Sequence, residues 1–178
     1  KKISEIKLSE LRDQMSYVPQ DVFLFSDTVH NNIAFGLPQA TRGQVEEAAR
    51  KACVHDDILG FAEGYETMIG ERGVTLSGGQ KQRISIARAL IKQPSLVIFD
   101  DCLSAVDART EKQIIGNLRE FLEDKTAIII THRIFALMEF DQIIVLDQGR
   151  IVEQGTHQEL LDLGGYYGQL YARQQESE

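Results

Sequence analysis

Two short, wholly apolar runs, Leu96-Val-Ile-Phe99 and Ala127-Ile-Ile-Ile130, flank one amphipathic stretch from Ala108 to Glu123. Runs without polar alternation belong to strands buried on both faces. Between them Ile114, Ile115, Leu118, Phe121 and Leu122 recur at helical spacing with charges in the gaps, which predicts a helix with one apolar face. Strand, helix and strand in that order form a parallel crossover. The expected fold class is therefore α/β, a mostly parallel sheet covered by helices on both faces. Further on, a short helix is expected around Phe135, and Gln142 to Leu146 with Arg150 to Glu153 flank Asp147-Gln-Gly149 as a hairpin. Thr156 and Glu159 have capping-box spacing, and Gly164-Gly165 closes the helix they open.

The first half reads differently. Ser16-Tyr-Val18 has strand character, but the pattern is helical over Thr28 to Phe35, Thr41 to Ala52, Asp56 to Phe61 and Gln80 to Ile91. Thr41 and Gln44 again have capping-box spacing. A block of helices between strands predicts a helical subdomain at the edge of the α/β core.

Composition narrows the function classes. The 178 residues suit one domain, and 43% apolar with 26% charged residues is enough for a real core. The longest apolar run, Ile134 to Met138, has five residues, against about 20 for a membrane span. The net charge of −8 and the lack of any Lys/Arg block disfavour nucleic acid as a partner. Cys53 and Cys102 make no disulfide framework, so a reducing compartment is expected. Cys102 has no nucleophile's His/Asp setting, Cys and His spacing supports no zinc site, and His30, His55 and His157 read as structural.

Leu76-Ser-Gly-Gly-Gln80 immediately precedes the helix expected from Lys81 to Ile91. Free backbone N–H groups and the positive end of the dipole at such a start suit a phosphate. A Gly-Gly pair equally serves a tight turn in which glycine supplies positive φ. Downstream, the run Leu96 to Phe99 ends in Asp100-Asp101, two carboxylates at the C-terminal edge of a strand. Ligands of open α/β sheets sit at that edge, where such a pair can hold magnesium and orient a water. The alternative is an acidic helix cap with a solvated neighbour.

Together these residues resemble the nucleotide-binding domain of the ATP-binding cassette (ABC) transporter family. Leu76 to Gln80 equals the family's signature loop, and Leu96 to Asp100 is similar to its Walker B strand. Ser104-Ala-Val-Asp107 resembles the D-loop, Thr131-His132 the switch with its histidine, and Val18-Pro-Gln20 the Q-loop, in family order and spacing. Gly70-Glu-Arg-Gly73 resembles the short loop by which export-type members touch their membrane domains. The resemblance implies a P-loop NTPase (RecA-like) core over residues 1–27 and 92–178, with the helical subdomain and signature loop at about 28–91.

It also implies roles. Two such domains meet head to tail over two nucleotides, so Ser77, Gly78, Gly79 and Gln80 would bind the γ-phosphate of ATP held by the partner. Asp100 would hold Mg2+, through water, and Gln20 would add an oxygen ligand and follow the γ-phosphate. Asp101 and His132 would complete the catalytic set, His132 lying near Asp100 if the strands run in parallel order. Asp107 would sit at the dimer interface, a role compatible with capping the helix from Ala108.

Two departures matter. None of the 14 glycines is followed by lysine, so no G-x-x-x-x-G-K-[ST] loop is present; an N-terminally truncated domain is the expectation. Asp101 stands where the family usually has glutamate, one methylene longer. Such a change resembles the degenerate half of a heterodimeric bacterial multidrug or lipid exporter. The expected function is therefore ATP binding and hydrolysis that powers export. The expected partners are a second nucleotide-binding domain and transmembrane domains at the cytoplasmic face of the plasma (inner) membrane. The alternatives are a non-catalytic half that completes its partner's site, or a DNA-repair or chromosome-maintenance ATPase with the same signature. The second is disfavoured by the short interval from Gln20 to Ser77 without sustained heptads and by the acidic charge.

Overall fold

A computed structural model describes residues 3–70, 73–134 and 139–177. The chain divides into two compact units, Lys1–Ile130 and Thr131–Glu178.

In the first unit, helix α1 (Leu8–Asp13) leads into strand β1 (Met15–Val18). A two-residue strand β2 (Asp27–Thr28) precedes the helices α2 (Val29–Ala34), α3 (Arg42–Lys51) and α4 (His55–Leu59), and strand β3 (Met68–Ile69) follows them. Then come α5 (Gly78–Leu90), β4 (Leu96–Asp100), α6 (Ala108–Leu122) and β5 (Thr126–Ile130). The strands β1, β4 and β5 form one parallel sheet in the order β1-β4-β5, with Val18 beside Phe99 and Asp100 beside Ile130. The expected crossover, strand β4 to helix α6 to strand β5, is thus formed.

Helix starts follow the local chemistry. Thr28, Thr41, Ser77 and Asp107 each accept a backbone N–H of the following first turn, replacing a bond that the helix itself cannot make. The helical block also contains something its periodicity concealed: β2 and β3 pair antiparallel, Asp27 with Ile69 and Thr28 with Met68. Two-residue strands are too short to show a period of two.

One face of the parallel sheet is packed. Ser16, Val18, Val97 and Phe99 are buried there, and the Ser16 hydroxyl donates to the Ala89 carbonyl of α5 at 3.0 Å. The other face departs from the expected double cover, because Tyr17, Ile128 and Ile130 are each about half exposed. A parallel strand this apolar normally has a layer on both sides. Arg88 ties α5 to α2 by donating to the carbonyl and side-chain oxygen of the fully buried Asn32 at 2.7 and 2.9 Å.

In the second unit, β6 (Ile143–Asp147) and β7 (Arg150–Gly155) form the expected hairpin. Its turn residues Gln148 and Gly149 both have positive φ, 46° and 75°, the geometry that matches strand twist in a two-residue turn. Thr156 and Glu159 make a full capping box at the start of α7 (His157–Leu163), and Gly164 ends it in the left-handed conformation. Helix α8 (Tyr166–Ser177) follows; Leu160 and Tyr167 pack with Ile134, Ile143 and Val145. The helix expected around Phe135 lies outside the described residues, as does Glu71.

Candidate functional site

The signature residues form the capped start of α5. Ser77 is the N-cap in extended geometry; its Oγ accepts the Gln80 N–H at 3.2 Å, while Gln80 Oε1 accepts the Ser77 N–H at 3.0 Å. The helix begins at Gly78, so both glycines lie in its first turn rather than ahead of it. Neither has positive φ, which removes the tight-turn explanation for the pair. The smallness of Gly79 is needed for contact instead. A Cβ on Gly79 would lie 2.8 Å from the Ala105 carbonyl oxygen, and one on Gly78 3.3 Å from the Ala105 Cβ. Ser77 and Gly78 are exposed, so a hydroxyl and unpaired amides at the positive end of a thirteen-residue helix face outward.

Buried Gln82, one turn further, fastens the same contact. Its Nε2 donates to Ser104 Oγ at 3.1 Å and its Oε1 accepts the Ala105 N–H at 3.0 Å. Ser104 Oγ in turn donates to the Asp101 carbonyl at 3.0 Å. A relay of side chains therefore runs from α5 through the Ser104–Asp107 loop to the second carboxylate residue.

The carboxylates stand at the C-terminal edge of the sheet, as the strand pattern implied. The Tyr17 hydroxyl donates to Asp100 Oδ2 at 2.8 Å, and Gln20 Nε2 to Asp101 Oδ2 at 3.4 Å. Donating to Asp100 raises the Tyr17 phenol above its usual range, because its ionised form would lose that bond and face a carboxylate. Asp101 has left-handed backbone, φ 42°, and its N–H extends the ladder to the Ile130 carbonyl at 2.8 Å. Aspartate visits that region more readily than most residues.

The structure thus joins Gln20, Asp101, Asp100 and Tyr17 in one cluster, and Ser77, Gly78, Gly79 and Gln80 in another that abuts the Ser104–Asp107 loop. Asp107 caps α6 through the Thr110 N–H at 3.0 Å. That bond from the backbone holds its carboxyl below the ordinary range. His132 is exposed and belongs to the second unit, two residues beyond the end of β5. Cys102 is buried, and burial pushes its thiol up to about 12, which agrees with an inert residue. Cys53 is half-buried between α3 and α4, in left-handed backbone at φ 54°. His55 and His157 bond the hydroxyls of Tyr65 and Tyr167 at 2.8 and 2.7 Å, structural roles as expected.

Sequence reasoning missed Tyr17, Gln82, Asp57 and Arg83. For Tyr17 a signal exists: in parallel register it lies beside Ile98, which shares a strand face with Asp100. The other three reach across elements, with no local pattern to announce them.

A capped glycine helix and a pair of carboxylates at the edge of a parallel sheet define a nucleotide-handling α/β domain of the signature-loop class. The sequence profile of the family described as "ABC transporter" matches residues 1–104. The chain belongs to the ABC transporter family. It is 51% identical over 173 residues to the multidrug resistance-like ATP-binding protein MdlA of Escherichia coli (strain K12), covering 97% of this chain and 29% of that protein. It is 53% identical over 173 residues to a probable multidrug resistance ABC transporter ATP-binding/permease protein, YheI, of Bacillus subtilis (strain 168), covering 97% and 30%. The structure of a bacterial Atm1-family ABC exporter with ATP bound is similar at TM-score 0.88 and 44% identity, over 97% of this chain and 30% of that one. The chain therefore spans less than a third of the length of these relatives.

Proposed function

We propose that these 178 residues are part of the ATP-hydrolysing domain of a larger membrane exporter, in which nucleotide binding draws two such domains together. The observation that carries the reading is the outward-facing start of α5, where Ser77, Gly78 and Gly79 present a hydroxyl and free amides. Those groups suit a γ-phosphate held by a partner domain, with Gln80 completing the cap. No helix among the described residues is long and apolar enough to cross a membrane. The exporting segments and the P-loop are assigned to parts of the protein outside these residues, consistent with the share of each relative that is matched. The domain is assigned to the cytoplasmic face of the plasma membrane.

Asp100, Asp101 and Gln20 would serve this chain's own nucleotide site. Among the described residues no three His, Cys, Asp or Glu side chains converge on a metal position. That donor set fits Mg2+, which is commonly held by one or two carboxylates, water and substrate phosphates rather than by a protein cage. Asp100 and the carbonyl oxygen of Gln20 would hold the ion, which when bound neutralises phosphate charge. Asp101 orients and deprotonates the attacking water; His132 donates to the γ-phosphate; Asp107 lies at the domain interface. A heterodimer with unequal sites is the form favoured by Asp101, whose carboxylate is one methylene shorter than the family's usual glutamate. A non-catalytic half is the second reading that the same residue supports.

The test is ATP turnover of the full-length protein with its partner. Ser77→Ala should lower turnover about a hundredfold, the scale of losing one donor to a developing charge, and Gly79→Asp should abolish most of it by setting a carboxylate against phosphate. Wild-type turnover in both variants would overturn the reading.

A further inference from the structure

The N-cap hydroxyl of α5 is held by a chain of contacts that starts in a different helix. Asp57 in α4 accepts from Gln80 Nε2 at 3.0 Å and from Arg83 Nη1 at 2.7 Å through its two carboxylate oxygens. A carboxylate only accepts, so the Gln80 amide has one possible orientation: nitrogen toward Asp57, oxygen toward the Ser77 N–H. That orientation completes the capping box. Ser77 Oγ is occupied as an acceptor by the Gln80 N–H, which leaves its own proton free for an external anion. Arg83 strengthens the arrangement. It balances the Asp57 charge and donates through Nε to the Gly79 carbonyl at 3.3 Å, and through Nη1 to the Cys53 carbonyl. Its side chain is 12% exposed and that of Asp57 29%, so water competes weakly for the pair.

We propose that Asp57 is a positioning residue for ATP hydrolysis: through Gln80 and Arg83 it sets the Ser77 hydroxyl and the Gly78 and Gly79 amides for the partner's γ-phosphate. The inference rests on the proposed role of Ser77 as a phosphate donor. Asp57 touches no nucleotide. Its effect is confined to the closed, γ-phosphate-dependent state, because nucleotides without that group do not reach the loop. The Asp57 carboxyl agrees with a permanently charged acceptor: burial raises it, but the bonds from Gln80 and Arg83 outweigh burial and hold it below the ordinary aspartate range.

The experiment is a double-mutant cycle on the full-length protein with its partner, using Asp57→Leu and Gln80→Ala and reading kcat, the affinities for ATP and ADP, and the melting temperature. Asp57→Leu should lower kcat about tenfold or more, on the scale of a sub-ångström to ångström misplacement, and weaken ATP relative to ADP. On the Gln80→Ala background the same substitution should cost several-fold less than on wild type, since only the route through Arg83 remains and residues sharing a contact are not additive. Asp57→Glu should restore part of kcat. If the effects of Asp57→Leu and Gln80→Ala multiply, or if ATP and ADP weaken together with the melting temperature, Asp57 is a fastener between α4 and α5 and the proposal fails. Should Asp57→Leu not fold, Asp57→Asn enters the same cycle. Ser77→Ala separates the two levels: unchanged kcat there removes the phosphate role of the loop itself, whereas a large loss there with unchanged Asp57→Leu removes only Asp57.

Discussion

Gly79 lies so close to Ala105 that a Cβ on the glycine would stand 2.8 Å from the alanine carbonyl oxygen. The start of α5 and the loop before α6 are therefore in backbone contact. Movement of one is movement of the other, since a backbone oxygen cannot swing aside as a side chain can.

Alanine substitutions at the two glycines should consequently diverge. Within a helix the exchange alone favours folding by about 0.5–1 kcal/mol. At position 78 the new methyl meets the Ala105 side chain at 3.3 Å, and stability should stay near wild type. At position 79 it meets backbone, and overpacking of that kind costs about 1–3 kcal/mol. Urea unfolding of Gly78→Ala and Gly79→Ala measures the difference; equal midpoints would mean the Gly79–Ala105 contact is absent.

Gln82→Leu should be costly despite its similar size. It would leave the Ala105 N–H without its acceptor and take from the Ser104 hydroxyl the bond it accepts, the one it donates to Asp101 remaining. Ser104 and Ala105 are themselves exposed, so water can replace the lost partner and the cost is that of an ordinary hydrogen bond, about 1 kcal/mol. The loss should appear in the urea midpoint, with the slope unchanged if the folded state is otherwise intact.

Asp101→Glu should raise ATP turnover of the full-length protein. The added methylene advances the carboxylate by about 1.5 Å, a scale on which misplacement costs roughly a hundredfold. Asp101→Asn should change total turnover little, because the partner's site carries most of it, while leaving ATP binding intact. Rapid hydrolysis by a wild-type homodimer with two equal sites would discard the heterodimer proposal.

Acidification should remove the contribution of Asp57 to stability. Its carboxyl titrates lower in the folded chain than unfolded, for although burial acts upward, the Gln80 and Arg83 bonds prevail. The stabilisation is thus complete above the unfolded value of ~3.9 and disappears as pH falls through the lower folded value. The stability gap between wild type and Asp57→Asn should be constant from neutral pH to about pH 5 and narrow below ~3.9. A gap that widened on acidification would contradict the sign.

Cys102 should resist alkylation. With its thiol raised to about 12 by burial, iodoacetamide at pH 8 finds almost no thiolate. Mass spectrometry of the native protein should show Cys102 unmodified and label it only after denaturation.

What could be read from the residues in order was whatever short-range physics writes there. The caps at Thr41, Asp107 and Thr156 depend on a side chain and an amide three residues away. The crossover from Leu96 to Ile130 depends on period alone, and the signature at Leu76 to Gln80 on letters in a row. Sequence by itself therefore determined the α/β class, the helix starts after Thr41, Asp107 and Thr156, the hairpin at Gln148-Gly149 and the family. It could not say why residue 79 is a glycine, because the reason is the Ala105 backbone, 26 residues further along the chain. Nor could it place Tyr17 on Asp100, Gln82 on Ser104 or Asp57 on Gln80, pairs separated by 83, 22 and 23 residues. Those contacts exist only once the strands are in register and α4 and α5 are packed. Local bonding energies are encoded residue by residue, whereas close approach between distant segments is a property of the packed chain.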